Sequence, residues 1–196
     1  MSYSSMISIA GIVLAFLAGS LPFSVWIGRV ALGVDIRQVG DGNPGAANVW
    51  RTGGPLWGIL AILADSLKGA IPVALANFVF QWDGWPLVLV TIAPVLGHAF
   101  SPFLGFNGGK ALAVTFGVWT GLTVWVGPLL LGLAFTLWLL ILQDDARAVI
   151  AGSLTQFAAF LILSADWTWL AAWVGITAVL LWKHKGELFT HPTTDS

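Results

Sequence analysis

From Ala111 to Leu142 the chain carries no charged residue. A bilayer core is roughly 30 Å thick and a helix rises about 1.5 Å per residue, so this run is too long for one membrane span. Gly127-Pro128 supplies the break that divides it into two. Five further apolar runs are of spanning length or close to it: Ile7 to Ile27, Pro55 to Phe80, Trp85 to Phe103, Ala148 to Leu163 and Trp167 to Trp182. Hydrophobic residues make up 58% of the chain and charged ones only 9%. A soluble domain carries about 25% charged residues, so this composition excludes a water-covered surface. The expected fold is an all-α integral membrane protein of seven transmembrane helices, forming a single polytopic domain over residues 1–196.

The basic residues fix an orientation. Arg29, Arg37 and Arg51 fall at the first connection, Lys110 at the third, Arg147 at the fifth, and Lys183 and Lys185 after the last span. The second, fourth and sixth connections carry none, so the positive-inside rule puts the N-terminus outside and the C-terminus in the cytoplasm. Met1–Ser8 lacks a basic signal-peptide n-region, so the first run is expected to stay in the membrane as a span. Six of the twelve tryptophans (Trp50, Trp82, Trp85, Trp167, Trp169 and Trp182) lie near span ends, the position of an interfacial aromatic belt. Trp119, Trp125, Trp138 and Trp173 read as packing or lipid contacts. With no cysteine in the chain, disulfides and thiolate metal sites are excluded.

The polar, glycine-rich segments gather on the cytoplasmic side. Gly40 to Arg51 reads Gly-Asp-Gly-Asn-Pro-Gly-Ala-Ala-Asn-Val-Trp-Arg. Its glycines Gly40, Gly42 and Gly45 permit tight turns, Asn43 and Asn48 bring donors, and Arg51 brings a fixed cation. Backbone N–H groups in such a loop can converge on an anion, although the same composition suits a plain inter-helix connection. The second segment runs from Gly97-His98 through Ser101 to Gly108-Gly109-Lys110, just before an apolar helix. Backbone donors, a lysine and a helix N-terminus there point to the same anionic ligand. His98 is a candidate base or phosphate donor, or else a hydrogen-bonding residue at a helix end. Asp65 and Lys68, three residues apart inside the second span, read as a structural ion pair, with a ligand role for Lys68 as the alternative. Lys183-His184-Lys185-Gly186-Glu187 reads as a basic cluster at the membrane surface that offers His184 to the site.

Taken together these elements resemble the bacterial acyl-phosphate:glycerol-3-phosphate acyltransferase family. The resemblance runs through Gly19-Ser20-Leu21-Pro22-Phe23, Gly28-Arg29, the glycine-rich loop with Asn48 and Arg51, and Ala64-Asp65-Ser66-Leu67-Lys68-Gly69. It continues through Gly97-His98 to Lys110, Arg147 to Ser153, and Lys183-His184. It implies transfer of a fatty acyl group from acyl phosphate to the 1-hydroxyl of glycerol-3-phosphate, giving lysophosphatidic acid in the inner membrane. It also implies Arg51, Lys110, His98 and His184 as catalytic residues, and Gly42, Asn43, Gly45, Asn48, Ser101, Gly108 and Gly109 as substrate-binding ones. Membrane lipid and the two phosphorylated substrates are the implied partners, with no nucleic acid, no cofactor and no metal. The chain departs from the family pattern at Asp41 and Ala47 (serine and threonine in the family), Asn107 (lysine), Ile150 (serine) and Glu187 (asparagine). A carboxylate about 6 Å from a bound phosphate, at an effective dielectric near 20, costs on the order of 3 kcal/mol, roughly a hundredfold in affinity. The departures therefore frame an alternative, a non-catalytic paralogue serving as a structural, lipid- or pigment-contacting subunit of a larger membrane complex. A transporter or channel would need polar residues spread along the spans, where only Asp65 and Lys68 lie deep.

Overall fold

The computed structural model describes residues 3–189, so the ends of the expected 1–196 domain fall outside the described residues. Among the described residues eight α-helices follow one another: α1 (Tyr3–Ser20), α2 (Phe23–Ala31), α3 (Ala46–Ala74), α4 (Gly84–Ala99), α5 (Leu112–Thr123), α6 (Val126–Leu142), α7 (Asp145–Ile162) and α8 (Trp167–Leu188). A π-helical turn, Leu75–Val79, extends α3, and short 3-10 turns lie at Ile36–Gln38 and Pro102–Leu104. Four segments are long and apolar enough to cross a membrane: Ser5–Ala31, Ala46–Val79, Gly84–Leu104 and Asp145–Ile162. The apolar helices α5 and α6 are shorter.

Helix boundaries differ from the sequence expectation where local chemistry outweighs hydropathy. The first apolar run is broken at Leu21-Pro22, because Pro22 has no N–H to continue the ladder. The carbonyls freed there find other donors: Ser101 Oγ donates to Ser20 O (2.6 Å) and Lys68 Nζ to Leu21 O (2.7 Å). The break between α5 and α6 falls at Val124-Trp125, ahead of Gly127-Pro128. Thr123 Oγ1 accepts the Gly127 N–H (2.8 Å), and Pro128 lies in the first turn of α6, where its missing N–H costs nothing. Helix α3 begins at Ala46, well before the expected Pro55, and bends at Gly54, whose φ of 75° no helix allows. Helix α8 runs past Trp182 to Leu188, so Lys183 to Glu187 is a helical end, with His184 buried and Lys185 and Gly186 at the surface.

The packing is that of a protein turned inside out. Along α3, Leu56, Ile59, Leu63, Leu67 and Ile71 form an exposed apolar stripe at helical spacing, while the opposite face buries Ala61, Asp65, Lys68 and Gly69. In water this arrangement would be reversed; against lipid it is the stable one. Trp119, fully buried, meets Phe160 edge to face at 5.1 Å between centroids, and Phe160 meets Trp169 at 5.5 Å. Trp119 therefore packs in the core, whereas Trp125 is exposed on the outer surface.

Close helix crossings depend on residues without side chains. A methyl on Gly97 of α4 would enter the Phe16 carbonyl of α1, and one on Gly19 of α1 would enter the Pro94 backbone of α4. Gly117 and Gly121 of α5 lie one turn apart against the Ser66 and Ala70 carbonyls of α3. Small residues let backbones approach where lipid offers no hydrophobic drive for helix association. Gly117→Ala is expected to lose about 1–3 kcal/mol through overpacking. Gly186→Ala, at a helical position with open space around it, should gain about 0.5–1 kcal/mol. Thermal unfolding in detergent reads both; a neutral Gly117→Ala would refute the backbone-contact account.

Candidate active site

A cavity of about 750 Å³ opens where the N-termini of α3, α5 and α7 approach the C-terminal ends of α4 and α8. Its polar wall carries Asp41, Asn43, Arg51, Asp65, His98, Lys110, Asp145, His184 and Glu187. Its apolar wall is made by Ile62, Leu112, Phe135, Leu139 and Val149. Two of the three helix N-termini have no side-chain cap: Gly45 precedes α3 and Ala111 precedes α5. Ala46 and Ala47 in the first turn of α3, and Leu112 and Ala113 in that of α5, line the cavity. First-turn N–H groups have no intrahelical acceptor, so these helix ends favour an anion. The cavity thus joins an anion-binding end to an apolar flank.

The glycine-rich stretch is two structures. Gly40–Gly45 is a loop, with Gly40 and Gly42 at positive φ (58° and 73°), and Ala46 to Arg51 is the first part of α3. Asn48 organises the loop from below. Fully buried, it divides its two amide hydrogens among Val39 O (2.8 Å), Asp41 Oδ1 (2.9 Å) and Asn43 O (2.9 Å). Its Oδ1 accepts from Arg51 Nη1 (2.9 Å), which fixes the guanidinium beside the loop. A side chain at Gly40 would strike this Asn48–Arg51 contact.

Lys110 is the electrostatic centre of the opening. Its Nζ lies 2.7 Å from Asp41 Oδ2 and also donates to Glu187 Oε1. Arg51 Nη1 stands 3.8 Å from Asp41 Oδ1. Burial opposes both charges of the Lys110–Asp41 pair, yet the ammonium holds the Asp41 carboxyl below its ordinary range. Asp41 and Glu187 in turn hold Lys110 above its own. Deeper in, Asp65 Oδ2 accepts from Ser24 Oγ (2.5 Å), while Oδ1 stands 2.7 Å from the Lys68 ammonium as an ion pair, with no hydrogen-bond partner of its own. His98 Nδ1 lies 4.0 Å from Asp65 Oδ1 and has no hydrogen-bond partner of its own. His184 Nδ1 donates to Leu180 O (2.8 Å), which assigns its proton to Nδ1 and leaves Nε2 an acceptor.

The residues singled out in the sequence divide clearly. Arg51, Lys110, His98, His184, Asn43 and Gly45 line one cavity. Asn48 and Ser101 are buried behind it and hold backbone carbonyls. Gly42 lines a neighbouring hollow of about 290 Å³ with Asp35, Arg37 and Asn107. The expected cradle of loop N–H groups is taken up internally. Gly42 N donates to Val39 O (3.0 Å), Asn43 N to Asp41 Oδ1 (3.1 Å), Gly108 N to Ala99 O (3.2 Å) and Gly109 N to His98 O (3.1 Å). Gly108 and Gly109 serve instead to bring the chain against His98, since a side chain at either would collide with that residue. Lys68, whose ammonium is shared by Asp65 and Leu21 O, is a structural partner outside the cavity wall. The sequence presents Asp65 only as half of an ion pair; the fold also sets it in the cavity wall. Lys183, half-buried, donates to Gly108 O (2.8 Å), and the Lys185 ammonium sits 3.6 Å above the Trp182 ring. Among the described residues, no three His, Cys, Asp or Glu side chains form a metal-holding group.

Comparison with known proteins decides the family. The family model for glycerol-3-phosphate acyltransferase matches residues 9–190. The chain belongs to the glycerol-3-phosphate acyltransferase family. It is 40% identical over 188 residues to the glycerol-3-phosphate acyltransferase of Desulfovibrio desulfuricans, covering 93% of this chain and 81% of that one. The Hydrogenovibrio crunogenus relative is 35% identical over 188 residues, covering 94% and 88%. The solved structure of PlsY, an integral membrane glycerol 3-phosphate acyltransferase in its glycerol 3-phosphate form, superposes with a TM-score of 0.84 at 32% identity. That likeness covers 92% of this chain and 90% of PlsY. Asp41, Ala47 and Glu187 line the cavity, while Asn107 and Ile150 lie away from it.

Asn48→Ala should release the loop by leaving Asn43 O without its donor and Arg51 Nη1 without its acceptor, while Val39 O keeps only the Gly42 N–H. A loss of about 1–3 kcal/mol is expected, the usual cost of a polar group left unpaired. The melting temperature in detergent checks this; a change below 1 °C would refute the role given to Asn48.

Proposed function

We propose that this protein transfers a fatty acyl group from acyl phosphate to the 1-hydroxyl of glycerol-3-phosphate. The observation that carries this reading is the cavity's division into a cationic end and an apolar flank. Arg51, Lys110 and the α3 and α5 N-termini suit phosphate; Ile62, Leu112, Phe135, Leu139 and Val149 suit an acyl chain. In the reaction the acceptor hydroxyl oxygen bonds to the acyl carbonyl carbon, and the carbon–oxygen bond to phosphate breaks. The hydroxyl proton ends on the departing phosphate, either directly or relayed by His98. Phosphate is already a good leaving group, so the protein's work is positioning and charge stabilisation. The reaction calls on Arg51 and Lys110 for the phosphate oxygens and on His98 and His184 as polar neighbours.

Purified protein given acyl phosphate should release inorganic phosphate and lysophosphatidic acid only when glycerol-3-phosphate is present. Arg51→Ala is expected to reduce kcat/KM by roughly a hundredfold or more, the usual size of a lost contact to developing charge. Absence of turnover in the wild-type protein would overturn the acyltransferase reading in favour of a non-catalytic membrane subunit.

We also infer a single domain that crosses the inner membrane seven times, N-terminus outside and C-terminus in the cytoplasm, with α1 and α2 forming the first span. The ion pairs of Arg51 and Lys110 lie at the cavity and those of Arg29 and Arg37 in the α2–α3 connection, whereas Trp85 and Trp167 meet at 5.4 Å beside Asp83 and Asp166. That placement of the basic residues at one end supports the assignment. Because the chain has no cysteine, Asp83→Cys and Arg147→Cys give clean probes. An impermeant thiol reagent applied to whole cells should label the first and spare the second; the reverse pattern would invert the topology.

A further inference from the structure

Asp41 and Glu187 come from different parts of the fold, the Gly40–Gly45 loop and the last turn of α8, yet both fall on one cation, Lys110. We propose that these two carboxylates are displaceable counter-ions of Lys110 that occupy the phosphate subsite at rest and set its affinity. The inference rests on the acyltransferase reading for the identity of the ligand, and on geometry alone for the competition.

Three features separate this cluster from a fixed structural ion pair. The side chains of Lys110, Asp41 and Glu187 keep 26%, 33% and 42% of their surface exposed, against 3% and 1% for Lys68 and Asp65. Exchange of partners at Lys110 therefore proceeds in contact with water, without stranding a charge in a dry interior. Second, Asp41 divides its duties between its two oxygens. Oδ1 accepts from Asn43 N and Asn48 Nδ2 and so keeps the loop in place; Oδ2 alone holds Lys110. The loop can thus survive when the contact to Lys110 is surrendered. Third, the other cation of the opening, Arg51, is held at its Nη1 by Asn48 Oδ1. Lys110 is then the charge whose partners must change.

A phosphate dianion entering this subsite takes the place of the carboxylates on the ammonium. It meets the repulsion of whichever carboxylate has not withdrawn. The intrinsic affinity of the cationic subsite is lowered accordingly, so the working affinity is a property of Asp41 and Glu187 as much as of Lys110.

The test measures glycerol-3-phosphate binding by titration calorimetry to the full chain in detergent, beside inorganic phosphate as a headgroup-free probe. Asp41→Asn keeps an oxygen for Asn43 N and Asn48 Nδ2 while removing the charge, and Glu187→Gln does the same at α8. The double variant D41N/E187Q is expected to bind both ligands roughly tenfold or more tightly than wild type. Adding Lys110→Gln to the double variant should abolish that gain. Unchanged or weaker binding by a D41N/E187Q protein with wild-type thermal stability would overturn the proposal, as would a gain that survives Lys110→Gln. Should the double variant unfold, E187Q alone, outside the loop, carries the test with a several-fold gain expected; no gain overturns it. Tighter inorganic phosphate binding without any glycerol-3-phosphate binding would uphold the counter-ions and remove the acyltransferase reading.

Discussion

The buried pair of Asp65 and Lys68 is the interaction on which the architecture of the site depends. A charge in the apolar interior of a membrane bundle persists only when it is neutralised and hydrogen-bonded. Here the 2.7 Å pair on α3 extends outward in both directions. Lys68 reaches the Leu21 carbonyl at the break, which also accepts the Phe23 N–H (3.1 Å), and Ser24 in the first turn of α2 donates to Asp65. The break between α1 and α2 and the charges on α3 thus support one another. Asp65 is thereby held facing His98, which Gly109 presses from the other side.

Above this fixed pair the charges obey a different rule. At the mouth of the cavity, Lys110 joins the loop, the start of α5 and the end of α8 through partners still in contact with water. The two layers divide the work. The deep pair determines where the helices stand, and the outer cluster determines what charge an incoming ligand meets. Asn48 insulates one layer from the other, because it secures the loop through backbone carbonyls and a single oxygen of Asp41.

Much of this was legible in the sequence because hydropathy and sparse charge are strong signals. The apolar runs emerge as helices, and the chain's two glycine-rich segments meet at one cavity, bringing Arg51, Lys110, His98 and His184 together. What escaped notice depends on contacts remote in sequence. Hydropathy does not register the break at Pro22, since the run stays apolar across it; the stabilising partners are 47 and 81 residues away. Asn48 reads as a ligand because an asparagine beside a glycine-rich loop looks available, whereas its hydrogens are claimed by carbonyls of the loop itself. For the same reason the loop N–H groups are unavailable as a cradle, whereas the first turns of α3 and α5, at Ala46, Ala47, Leu112 and Ala113, line the cavity. Their N–H groups have no side-chain signature, because they belong to the backbone.

An acidic residue in an anion site ordinarily signals lost function, and read singly Asp41 and Glu187 would each carry that meaning. Their convergence alters the argument. Two unrelated acids placed at random around a cavity would leave an unbalanced field; two acids on the same ammonium, with Arg51 beside Asp41, leave a neutralised and ordered opening. Order has a value in an unliganded membrane enzyme, whose uncompensated cations would otherwise attract the anionic headgroups that surround it in abundance. A site shielded in this way trades affinity for selectivity, because a ligand must offer more to Lys110 than two nearby carboxylates already do. A phosphate with two charges and several acceptor oxygens meets that requirement better than a lipid headgroup with one. The same residues that weaken the site on paper therefore define which anions are strong enough to open it.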